Sequence, residues 1–261
     1  MHPELVRLGP LTINWYGIML ALAFLLGIWT AGRRAPLTGT ARENIVDAGL
    51  WLILGGIVGA RTFYVISYWD TLVTNPLFPQ APWTEIFMVQ RGGLVYYGGL
   101  IGASLACIAF VSRRRLPLWK LADIFAPSIA LGYGLGRIGC LLRGCCYGRT
   151  CGLPWAIHFS PDHETGGQLV HPTQIYESLL SLGFYFALAL LYRRKRFDGQ
   201  IFATYLMGYA MLRSFVETFR GVYSAAHLHG GWTPAQLVSI GVFAAGAVLF
   251  WRLRPRVQKR G

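Results

Sequence analysis

Seven apolar segments, each long enough to cross a bilayer, punctuate this chain of 261 residues. A membrane-spanning helix needs roughly 20 mostly apolar residues. The segments run from about Leu11 to Ala31, Ala48 to Trp69, Leu94 to Val111, Leu121 to Leu142, Thr173 to Tyr192, Gln200 to Phe219 and Ala235 to Trp251. In hydrocarbon, backbone N–H and C=O groups must be satisfied within the protein, and runs of this length do so as helices. Composition agrees: 54% of the residues are hydrophobic and only 13% are charged, about half the charged fraction of a soluble domain. Such a chain is neither a soluble enzyme nor a disordered segment. The expected fold is all-α, a single transmembrane domain over residues 1–261 with seven transmembrane helices. No basic stretch precedes the first segment, and Arg33 and Arg34 follow it, so it reads as a span rather than a cleaved leader.

The formal charge is +13 at pH 7. In a soluble protein that balance would point to nucleic acid; in a polytopic one, basic residues collect in cytoplasmic connections. Sixteen of the 24 Lys and Arg fall on one side of the seven segments. They are Arg33, Arg34 and Arg42, then Arg113 to Arg115 with Lys120, then Arg193 to Arg196, and a tail carrying Arg252, Arg254, Arg256, Lys259 and Arg260. The N-terminus is therefore expected outside and the C-terminus in the cytoplasm, with no nucleic-acid partner. The external connections are the longer ones, about residues 70–93 and 143–172.

Ionisable groups inside spans are costly and are functional by default. Arg61, Arg137, Glu177, Arg213 and Glu217 lie within the segments, joined by Tyr16, Tyr97 and Tyr209. At 1.5 Å per residue, the three arginines stand about 20–24 Å above the cytoplasmic start of their helices, in a core about 30 Å thick. Tyr16, Tyr97 and Glu177 fall roughly 4–8 Å below the outer boundary. The polar groups are thus expected in the outer half and none in the inner half. A transporter site is expected near the midplane, whereas this placement suits chemistry on an outer-leaflet lipid, and arginine forks suit its phosphate. The alternative for Arg61 and Glu177 is that they only hold helices together by ion pairing.

Tyr209, Arg213 and Glu217 recur every four residues and share one helix face, with Arg220 continuing toward the rim. Gly134, Gly136 and Gly139 match G-x-G-x-x-G, but no strand precedes them, so a dinucleotide site is excluded. Gly55 with Gly59, and Gly132 with Gly136, read instead as small-residue helix contacts.

The segment GRIGCLLRGCCYG, Gly136 to Gly148, resembles the prolipoprotein diacylglyceryl transferase family. So do NWYGI at Asn14, GARTFYV at Gly59, YGGLIG at Tyr97, HPTQIYE at His171 and GYAMLRSFVETFR at Gly208. The resemblance implies an enzyme of the bacterial inner membrane, acting without cofactor or metal. Its lipid substrate is phosphatidylglycerol, and its acceptor is the lipobox cysteine of exported preprotein signal peptides. Transfer of the diacylglyceryl group to the thiol releases glycerol phosphate. By the same resemblance Arg137 binds the phosphate. Tyr16, Gly148, Tyr209, Arg213 and Glu217 complete the site, and Arg220 lies near its entrance. Arg61, His171 and Glu177 are further candidates for substrate contact. The chain departs from the family pattern at three positions: Tyr97 stands where His is common, Cys140 where Asn is, and Cys145 where Glu is. Tyr97 is read as a hydrogen-bond donor to the headgroup. The rival reading is a phospholipid-binding or lipid-transporting protein of the same fold without the chemistry.

Cys140, Cys145, Cys146 and Cys151 cluster as C-x4-C-C-x4-C, a spacing that fits no common zinc pattern. Their external placement favours a disulfide of Cys151 with Cys145 or Cys146. The histidines at 158, 163, 227 and 229 read as solvated loop residues, and His171 as a cap for the helix that follows it.

Overall fold

The computed structural model describes residues 4–8, 11–69, 86–87, 92–220 and 232–255. Most of the 70–93 connection, and His227 and His229, lie outside the described residues. A short antiparallel hairpin comes first, β1 (Glu4–Leu8) paired with β2 (Leu11–Asn14). Among the described residues seven long helices follow: α1 (Trp15–Arg34), α2 (Arg42–Ser67), α3 (Tyr96–Arg114), α4 (Leu118–Arg143), α5 (Thr173–Tyr192), α6 (Gln200–Glu217) and α7 (Pro234–Leu253). The fold is otherwise helical, as expected, and the hairpin moves the start of the first span from Leu11 to Trp15. Its cause is local: Leu-Thr-Ile-Asn alternates apolar and polar, the period of a strand.

Among the described residues, six helices are long and apolar enough to cross a membrane: α1 to α5 and α7. The seventh, α6, is an 18-residue helix that carries Arg213 and Glu217. The fold divides into two compact units, one of residues 1–38 with 119–261 and one of residues 39–118.

In the smaller unit α2 and α3 pack through glycines, as the Gly55–Gly59 spacing predicts. A Cβ on Gly55 would stand 2.7 Å from the Gly102 carbonyl oxygen, and one on Gly59 would collide with the Gly98 carbonyl. Only residues without side chains let two backbones approach this closely. In the larger unit the close contacts of α4 are made at Gly134, against Ser178 and Leu182, and at Gly139, against Tyr16 and Met19. Gly132 and Gly136, the expected pair, have looser surroundings. A Cβ on Gly132 would be 3.8 Å from its nearest neighbour, and one on Gly136 would meet nothing within 4 Å.

A second polar cluster lies at the opposite end of α4 from Arg137, and it corrects the expectation that this end would hold none. Asp123, fully buried, accepts from Lys195 Nζ at 3.2 Å and from the backbone N–H groups of Gly199 and Phe202, each at 2.9 Å. Those N–H groups open α6, whose first turn has no intrahelical acceptors for them. Asp123 thus caps α6 from a neighbouring helix and meets the positive end of its dipole. Nearby, buried Arg34 donates to the Ile124 carbonyl at 3.3 Å and pairs with Ser128 Oγ, while Thr30 Oγ1 lies 2.8 Å from the same hydroxyl. These bonds tie α1 to α4 beside Pro127, where a helix loses one of its own hydrogen bonds.

The connection after α4 is ordered by its backbone. Gly148 donates to His171 (2.9 Å), His171 to Arg149 (3.0 Å), Cys151 to Leu169 (3.0 Å) and Ile157 to Val170 (3.1 Å). His158 is exposed, as expected. His163 is partly buried instead, stacked on Phe159 with its Nε2 2.7 Å from the Gly144 carbonyl oxygen.

Candidate active site

Three helices of the larger unit bring two arginines and two glutamates together. Arg137 on α4 ion-pairs through Nε with Glu177 on α5, and its Nη2 donates to Tyr133 Oη at 2.6 Å. The other Glu177 oxygen lies 3.9 Å from Arg213 Nη1, and Arg213 pairs with Glu217 one turn further along α6. The side chains of Glu177 and Glu217 are 3% and 0% exposed, those of both arginines 15%. Buried charges persist only when paired and hydrogen-bonded, and the two cations and two anions balance. Tyr209 packs edge-on against Tyr133, ring centres 5.4 Å apart.

This arrangement is not a set of idle cations. Each arginine already holds a carboxylate. Tyr133, one turn before Arg137, is the member that sequence reasoning missed. The four-residue spacing used for Tyr209 and Arg213 would have found it.

Beside the cluster opens a cleft of about 890 Å³, lined among others by Cys146, Gly148, Glu164, Gln168, Glu217 and Arg220. Glu217 Oε1 and Arg220 Nε are buried with no hydrogen-bond partner among the described residues. Arg220 Nη2 donates to the Cys146 carbonyl at 3.4 Å. Gly148 is held where no side chain fits: a Cβ there would lie 2.6 Å from the Phe219 carbonyl oxygen and 2.7 Å from the Cβ of His171.

His171 does not cap α5, since the residue before that helix is Pro172 and no side chain caps it. Its ring lies against Phe219, with Nδ1 3.3 Å from Tyr176 Oη. Burial and the neighbouring Arg149 push the imidazole below the usual histidine range. Tyr16 packs against Gly139 of α4, with the Arg143 guanidinium 6.0 Å from its ring centre. Arg61 and Tyr97 belong to the smaller unit. There Arg61 donates to the carbonyls of Ile86 (2.9 Å), Gly92 (2.8 Å) and Gly93 (3.0 Å), and Tyr97 is exposed at the start of α3 beside Tyr96. All five cysteines are free, so the expected disulfide of Cys151 is not formed.

A chain of apolar helices with a balanced arginine–glutamate cluster beside a polar cleft is a multi-pass membrane protein. The sequence profile of the prolipoprotein diacylglyceryl transferases matches residues 3–252, and the chain belongs to that family. Its relatives include proteins named phosphatidylglycerol–prolipoprotein diacylglyceryl transferase. That of Finegoldia magna is 36% identical over 248 residues, 95% of this chain and 94% of its own length. That of Synechococcus elongatus is 34% identical, covering 95% of this chain and 86% of the relative. That of Aeromonas salmonicida is 34% identical, covering 100% and 93%.

Proposed function

We propose that this protein transfers the diacylglyceryl group of phosphatidylglycerol to the lipobox cysteine thiol of exported preproteins, releasing glycerol phosphate. The observation that carries the reading is the match, along 95–100% of the chain, to relatives named for that reaction. The buried cluster of Arg137, Arg213, Glu177 and Glu217 supports it, because the reaction needs a phosphate held firmly while a bond to it breaks.

In the proposed step the lipobox thiol loses its proton to water and the sulfur attacks the glycerol carbon that bears the phosphodiester oxygen. The S–C bond forms as the C–O bond breaks, and the electron pair leaves with glycerol phosphate. A free thiol with a pKa near 8.5 is already a few per cent thiolate at pH 7, so complete deprotonation gains at most ~30-fold. The larger contribution is electrostatic: Arg137 and Arg213 stabilise the charge gathering on the departing phosphate. Gly148 and Arg220 line the cleft; Tyr16, Tyr209, His171 and Arg61 are the further residues proposed to contact the substrate. Tyr97 donates a hydrogen bond to the headgroup.

The protein is proposed to lie in the bacterial cytoplasmic membrane with seven spans, α6 included, its N-terminus outside and its site toward the outer leaflet. The sixteen basic residues on one side support this orientation. Reporter fusions after Arg115 and Arg196 are expected to read cytoplasmic and those near His163 and His227 external; a reversed pattern at either pair overturns it.

The reaction is tested with purified protein in phosphatidylglycerol vesicles and a lipobox peptide, following attachment of a labelled diacylglyceryl group to the peptide. Attachment that requires the peptide cysteine is expected. Binding of the lipid with no transfer would instead establish the non-catalytic reading. In the same assay Tyr97→Phe should lose about 10- to 150-fold in rate, the loss of one hydrogen bond to a charged group, with an unchanged pH profile. A lost alkaline limb would make Tyr97 a base rather than a donor.

A further inference from the structure

The end of α4 folds three thiols onto one another, a feature the transfer reaction does not use. Gly144 turns left-handed at φ +79°, and the N–H of Cys145 donates to the Cys140 carbonyl at 3.0 Å. That six-residue closure is the Schellman ending of a helix, and it lays Cys145 back over the last turn. Cys146 then adopts φ +65°, a conformation that residues with a Cβ rarely take. It persists because the backbone is gripped from outside. Gln174 Nε2 donates to the Cys145 carbonyl at 2.8 Å and Thr173 Oγ1 to the Cys146 carbonyl at 2.7 Å. As a result the Sγ atoms of Cys140, Cys145 and Cys146 all lie within 4.8 Å of one another, half-buried and free of disulfides.

Free cysteines often pack as small apolar groups, and Cys107, alone on α3, is such a residue. Three sulfurs converging from a helix end and a gripped turn are a different arrangement. We propose that Cys140, Cys145 and Cys146 form a three-sulfur site for a thiophilic d10 metal ion, zinc(II) or copper(I), which clips the end of α4 to the turn that carries Gly148. Sulfur–metal bonds of ≈ 2.3 Å put neighbouring sulfurs about 3.8 Å apart in a tetrahedral site, and the three sulfurs here already lie within 4.8 Å of one another. Soft thiolates select such ions over magnesium or calcium. Zinc would take a water as its fourth ligand; copper(I) would be satisfied by the three sulfurs.

The test uses the full-length protein in detergent, kept reduced with a phosphine and stripped by chelator. It is then titrated separately with zinc(II), with cobalt(II) as a spectroscopic stand-in, and with copper(I). One ion per chain is expected, with sulfur-to-cobalt charge-transfer absorption and a melting temperature raised by the bound ion. Cys140→Ser and Cys145→Ser should each lose the stoichiometric ion, whereas Cys107→Ser and Cys151→Ser should keep it. Stoichiometric uptake of either ion supports the site and says which ion fits. No stoichiometric uptake by reduced wild-type protein overturns it, as does uptake that survives the Cys140→Ser/Cys145→Ser pair. Should those variants not accumulate, wild-type cobalt spectra decide, since absorption without a sulfur-to-metal band equally removes the proposal. Metal uptake is read without the transfer reaction, so failure of one leaves the other standing.

Discussion

Arg137→Ala should lower diacylglyceryl transfer by at least ~10²–10³-fold, the usual cost of removing one preorganised donor to a developing charge. The protein should still insert and fold, because Glu177 keeps Arg213 at 3.9 Å when Arg137 is gone. Arg137→Lys should rescue poorly. It restores the charge but not the planar fork that reaches Glu177 and Tyr133 together in the resting site. The rival account is that Arg137 merely neutralises Glu177. A double variant separates the two: with Arg137→Ala, the further change Glu177→Gln removes the buried anion that needs neutralising. If transfer then returns toward wild type, Arg137 was a structural counter-ion. If it stays at background, the arginine acts on the substrate, which is the outcome expected here.

Much of the site was legible because helical spacing is a local rule. Tyr209, Arg213 and Glu217 recur every four residues, and the Arg213–Glu217 pair forms on that spacing. The packing of Gly55 and Gly59 against α3 follows from the same kind of rule. Partner choice between helices is another matter. That Glu177 serves Arg137 and Arg213 at once depends on how α4, α5 and α6 lie together, and no spacing within one helix encodes it. The cysteines mislead for a related reason: compartment chemistry favours a disulfide, but a left-handed turn at Gly144 aims Cys145 at Cys140 rather than at Cys151.

Asp123 shows the cost of counting charges only for orientation. Arg34 and Lys195 count among the basic residues that mark the cytoplasmic side, yet in the fold Arg34 donates to the Ile124 carbonyl and Ser128 while Lys195 pairs with buried Asp123 at the same end of α4. Asp123→Ala should therefore be among the most destabilising substitutions in the chain. It leaves Lys195, whose side chain is 11% exposed, with Asp198 as its remaining carboxylate partner. It also strips the Gly199 and Phe202 N–H groups of their acceptor. Breaking one partner out of a buried pair costs about 3–5 kcal/mol, which for a chain of this size lowers the melting temperature by roughly 6–20 °C. Asp123→Asn should cost less, because the amide oxygen can still accept from one of the two backbone donors. α6 starts at this carboxylate and carries Arg213 about 20 Å further along its axis, so the loss reaches the site only when the helix melts. Below its melting transition the Asp123→Ala protein should keep a transfer rate close to wild type, and above it lose activity together with tryptophan fluorescence. Melting that matches wild type would show that α6 needs no cap from α4. A rate already depressed in the folded protein would place Asp123 in the reaction rather than in the fold.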